Sequence, residues 1–131
     1  MNAALGAAAS SARILVVDDE PDNLELLGII LAHEGFITDT AESGAEALAS
    51  VKTQRPDLIL LDVMMPGMDG FEVVTMLKGD PTTCGIPVIM VTALDTRLAR
   101  KLAEGVGADG FITKPLDRVD LCRRMRSLLP H

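Results

Sequence analysis

Three carboxylates, a hydroxyl and an amine stand at matching points of this sequence. Asp18 and Asp19 follow "ILVV" (14–17), Asp62 follows "LILL" (58–61), Thr92 follows "VIMV" (88–91), and Lys114 follows "GFIT" (110–113). Taken singly, each has a bland explanation. An Asp after a strand is commonly a turn or helix-cap residue, a Thr can cap the next helix, and a Lys can simply be solvated. As a group they are harder to dismiss. Clustered carboxylates raise one another's pKa and destabilise a fold unless something neutralises them. A hard divalent cation does so, because Mg²⁺ takes carboxylate oxygens together with water and a phosphate oxygen. A lysine beside them adds a point charge for an anion. The chemistry this set suits is phosphoryl transfer, with an aspartate as nucleophile and cations to neutralise the equatorial oxygens.

The elements must bring these residues together. The apolar runs at 14–17, 58–61 and 88–91 read as parallel strands buried on both faces, and weaker strands fit "FITDT" (36–40) and "GFIT" (110–113). Helical patterns lie between them. Pro21 opens the first, whose inner face carries Leu24, Leu27, Ile30 and Leu31, and Gly35 stops it. Ser43 and Glu46 form a capping box for the second, which runs through about Val51. The third runs from about Gly70 to Lys78 with Phe71, Val74 and Leu77 inward. The fourth runs from about Thr96 to Gly105 with Leu98 and Leu102 inward. The last starts near Asp117 and uses Leu121, Met125 and Leu128. Strand–helix repeated five times predicts an α/β, doubly wound parallel sheet. In such a sheet the C-terminal strand ends share one edge, where ligands bind. The order of the chain therefore gathers all five polar residues at one mouth.

Composition narrows the classes. The 131 residues suit one domain with a proper core. Nearly half are hydrophobic, at 48%, but no run approaches the roughly 20 residues of a membrane span. Residues 1–12, "MNAALGAAASSA", read as a disordered tail and make a poor signal peptide, having no Lys or Arg. The folded unit is expected over 13–131. Cys84 and Cys122 are too few for a disulfide framework or a metal knuckle. A cytoplasmic location, no membrane partner and, from the net charge of −7, no direct nucleic-acid partner are expected. The charge is uneven. Residues 95–131 hold eight basic against five acidic side chains, a net +3, while 1–94 hold four against fourteen, a net −10. The basic segment is either an ordinary solvated surface or a face for an acidic partner or a second copy of the chain.

The motifs "ILVVDDEP", "LILLDVMMPGMDG", "PVIMVTA" and "FITKP", in this order, resemble the receiver domains of two-component response regulators. The resemblance runs from Arg13 to about Leu129. Within it, "LLDVMMPGMDGFEV", "DPTT" and "IPVIMVTALD" look like receivers attached to diguanylate cyclases. The resemblance implies a flavodoxin-like (βα)5 three-layer sandwich with a five-stranded parallel sheet. It implies that Asp62 accepts a phosphoryl group from a histidine kinase or histidine phosphotransferase. Asp18 and Asp19 would hold Mg²⁺ (or Mn²⁺), Asp19 more directly, with Asp62 and the backbone carbonyl of Met64. Thr92 would bond the phosphoryl group, and Lys114 would pair with the acceptor carboxylate, its bond to Pro115 being cis. Phe111 would be the aromatic switch that swings inward as Thr92 moves. Gly67 and Gly70 would allow the tight loop that brings backbone N–H groups close to Asp62. The output would run through the face of helix 4, strand 5 and helix 5, toward a downstream target or a phosphorylation-dependent homodimer. No catalysis is expected beyond self-phosphotransfer and slow autodephosphorylation.

Two positions depart from the family's commonest pattern. Met64, two after Asp62, and Leu94, two after Thr92, are apolar where polar residues are frequent. They should position an attacking water poorly and slow hydrolysis of the phospho-aspartate. Other readings fit less well. A haloacid-dehalogenase-like phosphatase wants a second Asp where Met64 stands. A flavodoxin-like cofactor binder wants a phosphate-cradling loop after the first strand. A phosphorylation-independent interaction module has no need of the intact set Asp18, Asp19, Asp62, Thr92 and Lys114.

Overall fold

The computed structural model describes residues 11–129. Five parallel strands form one sheet: β1 (Arg13–Val17), β2 (Ile37–Ala41), β3 (Leu58–Asp62), β4 (Val88–Thr92) and β5 (Gly110–Thr113). Their order across the sheet is β2-β1-β3-β4-β5. Each is followed by a helix: α1 (Pro21–His33), α2 (Gly44–Thr53), α3 (Gly70–Lys78), α4 (Arg97–Val106) and α5 (Arg118–Leu128). This is the flavodoxin-like (βα)5 three-layer sandwich. The proposed tail over 1–12 falls mostly on residues outside those described, as do 130 and 131.

The apolar runs are continuous because helices cover both faces of the sheet. Alternate strand residues feed two cores. Leu15, Val17, Ile59, Leu61, Val88 and Met90 meet α2, α3 and α4 on one face. Ile14, Val16, Leu58, Leu60, Ile89 and Val91 meet α1 and α5 on the other. Each fully buried Leu, Ile or Val contributes roughly 1.5–3 kcal/mol. The chain reverses its winding direction between β1 and β3, and that switch point is where an open α/β sheet offers its crevice.

Local chemistry sets the helix ends. Pro21 occupies the first turn of α1. Asp69 caps α3 with a full capping box to Glu72, and Thr96 caps α4 through the Ala99 N–H at 3.0 Å. Ser43 caps α2, accepting from Glu46 N at 3.1 Å. The return bond of Glu46 goes to the N–H of Glu42 at 3.3 Å, one residue earlier than a capping box requires.

One helix is turned relative to expectation. Leu98 and Leu102 do not face inward: they are 67% and 45% exposed. Ala99 and Ala103 take the buried face of α4 instead. Both pairs repeat every four residues, one position apart, so hydrophobicity alone favours the leucines. The structure buries the smaller pair, so hydrophobicity alone does not set which face of α4 turns inward. Smaller differences appear on other helices. Ile30, Phe71 and Leu128 are half-buried, while Val73 and Cys122 are buried.

Candidate functional site

The site is built from strand ends. Residues Asp62 and Val91 are partners in register, as are Thr92 and Thr113. β1 lies beside β3, so Asp18, one residue past Val17, emerges next to Asp62. Carboxylate oxygens of Asp18, Asp19 and Asp62 all lie within 4.8 Å of one another. Lys114 Nζ reaches both buried acids, at 3.5 Å from Asp18 Oδ2 and 3.7 Å from Asp62 Oδ2. The Lys114–Pro115 peptide is cis, as expected. Thr92 is fully buried, its carbonyl accepts the Lys114 N–H at 2.8 Å, and its hydroxyl accepts the Leu94 N–H at 3.1 Å.

The two members of the acidic pair differ. Asp18 is buried and committed. Its Oδ1 accepts the Glu20 N–H at 2.9 Å, and its Oδ2 accepts from Asn23 Nδ2 at 3.2 Å. Asx-turn geometry, the bland reading of this residue, is thus present alongside its place in the cluster. Asp19 is the most exposed of the three acids, and its carboxylate accepts no hydrogen bond from the described residues. It has open lone pairs for a cation.

Asp62 is 8% exposed. Burial holds its carboxyl above the ordinary carboxylate range. The Met64 N–H (donating to Asp62 Oδ1 at 3.1 Å) and the Lys114 ammonium pull it down, while Asp18 and Asp19 push it up. The donor set is all hard oxygen with excess negative charge, which fits Mg²⁺ and does not suit a soft metal.

The loop after Asp62 is held close by glycines. Gly67 has φ +79°, a left-handed conformation that favours glycine. A Cβ on Gly70 would stand 2.6 Å from the carbonyl oxygen of Asp62 and 2.8 Å from Val63 Cα. Across the mouth, Met64 (61% exposed) and Leu94 line one apolar depression with Val63, Met65, Pro66 and Phe71. Phe111 lies on β5 opposite Met90, half-buried, with the Arg100 guanidinium 4.9 Å from its ring centre.

A family model described as the response regulator receiver domain matches residues 14–126. The chain belongs to the response regulator receiver family. Over 118 residues it is 54% identical to the response regulator PleD of Caulobacter vibrioides, covering 90% of this chain and 26% of that one. Over 117 residues it is 43% identical to the DNA-binding response regulator MtrA of Mycobacterium tuberculosis, covering 89% and 50%. The receiver thus spans between a quarter and half of the length of these relatives. Among solved structures, the receiver domain of a signal transduction histidine kinase from Syntrophus aciditrophicus superposes with a TM-score of 0.85 at 40% identity, over 91% of this chain and 90% of that one. The chemotaxis protein CheY4 of Vibrio cholerae gives 0.86 at 31% identity, over 91% and 99%.

The receiver therefore brings Asp18, Asp19, Asp62, Thr92 and Lys114 to one edge, as the strand order implied. Sequence reasoning missed three participants. Asn23 was recognisable only as a polar residue in the first turn of α1. Asp95 and Arg100 read only as members of a segment that is either a solvated surface or an output face, yet they pair with each other at 2.9 Å beside Phe111. No helix among the described residues is long and apolar enough to cross a membrane.

The basic segment is less free than its count implies. Arg118 and Arg126 both pair with Glu34, and Arg123 and Arg124 with Asp120. No ion pair among the described residues involves Arg97 or Lys101, so the unpaired positive charge of this face sits on α4.

Proposed function

We propose that Asp62 is a phosphoacceptor, taking its phosphoryl group from a phosphohistidine of a histidine kinase or histidine phosphotransferase. One observation carries this reading: the buried Asp62 carboxylate faces two further carboxylates and the Lys114 ammonium at a single strand edge. An Asp62 carboxylate oxygen attacks phosphorus in line. The new O–P bond forms as the P–N bond breaks, and its electron pair returns to the imidazole nitrogen. Lys114 Nζ, 3.7 Å from Asp62 Oδ2, would neutralise charge on the equatorial oxygens, and the Met64 N–H already points at the acceptor carboxylate. Asp18, Asp19, Asp62 and the Met64 carbonyl would hold Mg²⁺, with Mn²⁺ as a substitute. When bound, the metal neutralises the acidic cluster and the developing phosphoryl charge.

Adding nearly two negative charges at Asp62 then biases a two-state element. Thr92 donates its hydroxyl proton toward a phosphoryl oxygen, and Phe111 changes position with it. The surface of α4, β5 and α5 carries the change to a downstream target or to a second copy of the receiver. The chain's own chemistry ends at self-phosphotransfer and slow loss of the phosphoryl group.

The test is intact mass after incubation with acetyl phosphate and Mg²⁺. Wild type should gain the mass of one phosphoryl group, and Asp62→Asn should gain none. Addition to both proteins, or to neither, overturns the assignment.

A further inference from the structure

The loop between β4 and α4 is tied at both ends. At its start the Thr92 hydroxyl accepts the Leu94 N–H at 3.1 Å. At its end Asp95 Oδ1 accepts from Arg100 Nε at 2.9 Å. Arg100 in turn lies over the Phe111 ring, 4.9 Å from its centre. Leu94 and Asp95 are adjacent, so these contacts form one unbroken chain from the buried hydroxyl to the half-buried ring. On the far side, the Phe111 carbonyl accepts from Arg124 Nη1 at 3.3 Å, which anchors the backbone beneath the ring to α5.

We infer that Asp95 and Arg100 form a latch: Asp95 holds the Arg100 guanidinium over Phe111, and the latch keeps the switch in the arrangement seen here. Both are positioning residues. This inference rests on the proposed phosphoryl switch and deepens it. The Leu94 N–H is bonded to the hydroxyl itself, so any movement of Thr92 toward a phosphoryl group on Asp62 displaces Leu94 and Asp95. Asp95 then draws Arg100 off the ring, and Phe111 is released. The direction follows from the contacts. A cation over an aromatic face stabilises that ring position, so removing the cation favours the alternative. Both partners of the Asp95–Arg100 pair are about half exposed. An exposed ion pair is weak, which suits a latch that must open.

The composition makes the test direct. The receiver has three Phe and no Tyr or Trp, so fluorophenylalanine labelling gives three ¹⁹F signals, from Phe36, Phe71 and Phe111. Phe36 lies under Arg126, 5.5 Å from its guanidinium, in a cluster away from the switch. It serves as an internal control. The probe is beryllofluoride with Mg²⁺, a stable mimic of an acyl phosphate. In wild type it should move the Phe111 signal.

In Arg100→Met without beryllofluoride, that signal should already lie part of the way toward the saturated position. The half-saturating beryllofluoride concentration should fall about two- to five-fold, the equivalent of about 0.5–1 kcal/mol for an exposed cation over a ring. Asp95→Asn should shift both readouts the same way by less, and Arg100→Lys, which keeps a cation, should restore most of the wild-type behaviour. Arg126→Met should move only the Phe36 signal. A loss of packing alone would lower stability without this order among the variants. If wild type responds but Arg100→Met leaves the half-saturation point unchanged or raises it, the latch is wrong and the phosphoryl switch stands. If the wild-type Phe111 signal does not respond to beryllofluoride, the switch reading fails, and the latch with it.

Discussion

Replacing Asp62 by Asn should stabilise the receiver when divalent cations are absent. Asp62 lies within 4.8 Å of two other carboxylates and 3.7 Å from one ammonium. At an effective dielectric of 20, each repulsion at that limit is about 3.5 kcal/mol and the attraction about 4.5 kcal/mol. The repulsions exceed the attraction by roughly 2.5 kcal/mol. Asp19 and Lys114 are partly solvated, so a net gain of roughly 1–2 kcal/mol is the reasonable size after screening. Asn keeps an amide oxygen for the Met64 N–H, so that donor is not orphaned. For a domain of this length the gain corresponds to a rise in Tm of roughly 5 °C. The sign with pH follows from linkage. The Asp62 carboxyl is raised in the fold, chiefly by burial, so the folded state binds its proton more tightly than the unfolded chain does. Wild-type stability therefore falls as pH rises from the ordinary carboxylate value of about 4 through the raised one. The gap in favour of Asp62→Asn opens across that window and is constant above it. Saturating Mg²⁺ should narrow the gap, because it stabilises wild type by about 2.7 kcal/mol at a hundredfold excess over its Kd and the variant by less. The assay is urea unfolding in EDTA over a pH series, repeated with Mg²⁺. A variant less stable than wild type at neutral pH in EDTA, or a gap that ignores pH, would refute the reasoning.

Three further outcomes are expected. Gly70→Ala should destabilise by roughly 1–3 kcal/mol in urea unfolding, because the new Cβ meets the backbone of Asp62 and Val63 at 2.6 and 2.8 Å, and it should slow phosphorylation by acetyl phosphate. Met64→Asn combined with Leu94→Glu should speed loss of the phosphoryl group, followed by intact mass over time, since it replaces two apolar walls of the depression beside Asp62 with groups that can orient water; an unaltered rate would sink the idea. Lys78→Met should cost roughly 1–3 kcal/mol in urea unfolding, because Lys78 Nζ donates to Cys84 O at 3.1 Å, Ile86 O at 2.9 Å and Asp109 Oδ2 at 3.0 Å, joining α3 to the loops before β4 and β5.

The fold was legible where burial is two-sided. Residues 14–17, 58–61 and 88–91 of β1, β3 and β4 are apolar without a break because both faces of these strands are covered, whereas β2, at the sheet edge, has only Ala41 fully buried and left a weaker trace. The acidic cluster was legible for a related reason. Parallel strands in register deliver whatever follows them to one edge, so the sequence order of Asp18, Asp62, Thr92 and Lys114 translates directly into space. The Asn23–Asp18 and Asp95–Arg100–Phe111 contacts were not legible. They depend on side chains reaching between a loop, a helix and a strand, and no periodicity encodes that reach.

The misread face of α4 bears on how a switch can work in this fold. A helix anchored by large side chains resists displacement, since each Leu or Met that leaves the core forfeits roughly 1.5–3 kcal/mol. α1 is held by Leu24, Leu27 and Leu31, and α5 by Leu121 and Met125. α4 buries only Ala99 and Ala103 and turns Leu98 and Leu102 outward. At about 0.8 kcal/mol per buried methyl-sized group, a small shift of α4 costs far less than the same shift of α1 or α5. The helix that follows the Thr92 loop, carries Arg100 and presents the unpaired charges of Arg97 and Lys101 is therefore restrained less by the core than α1 or α5. On the proposed reading, tight packing elsewhere would confine the effect of a phosphoryl group at Asp62 to this segment, and the small alanine face of α4 would let a local charge change become a change of surface.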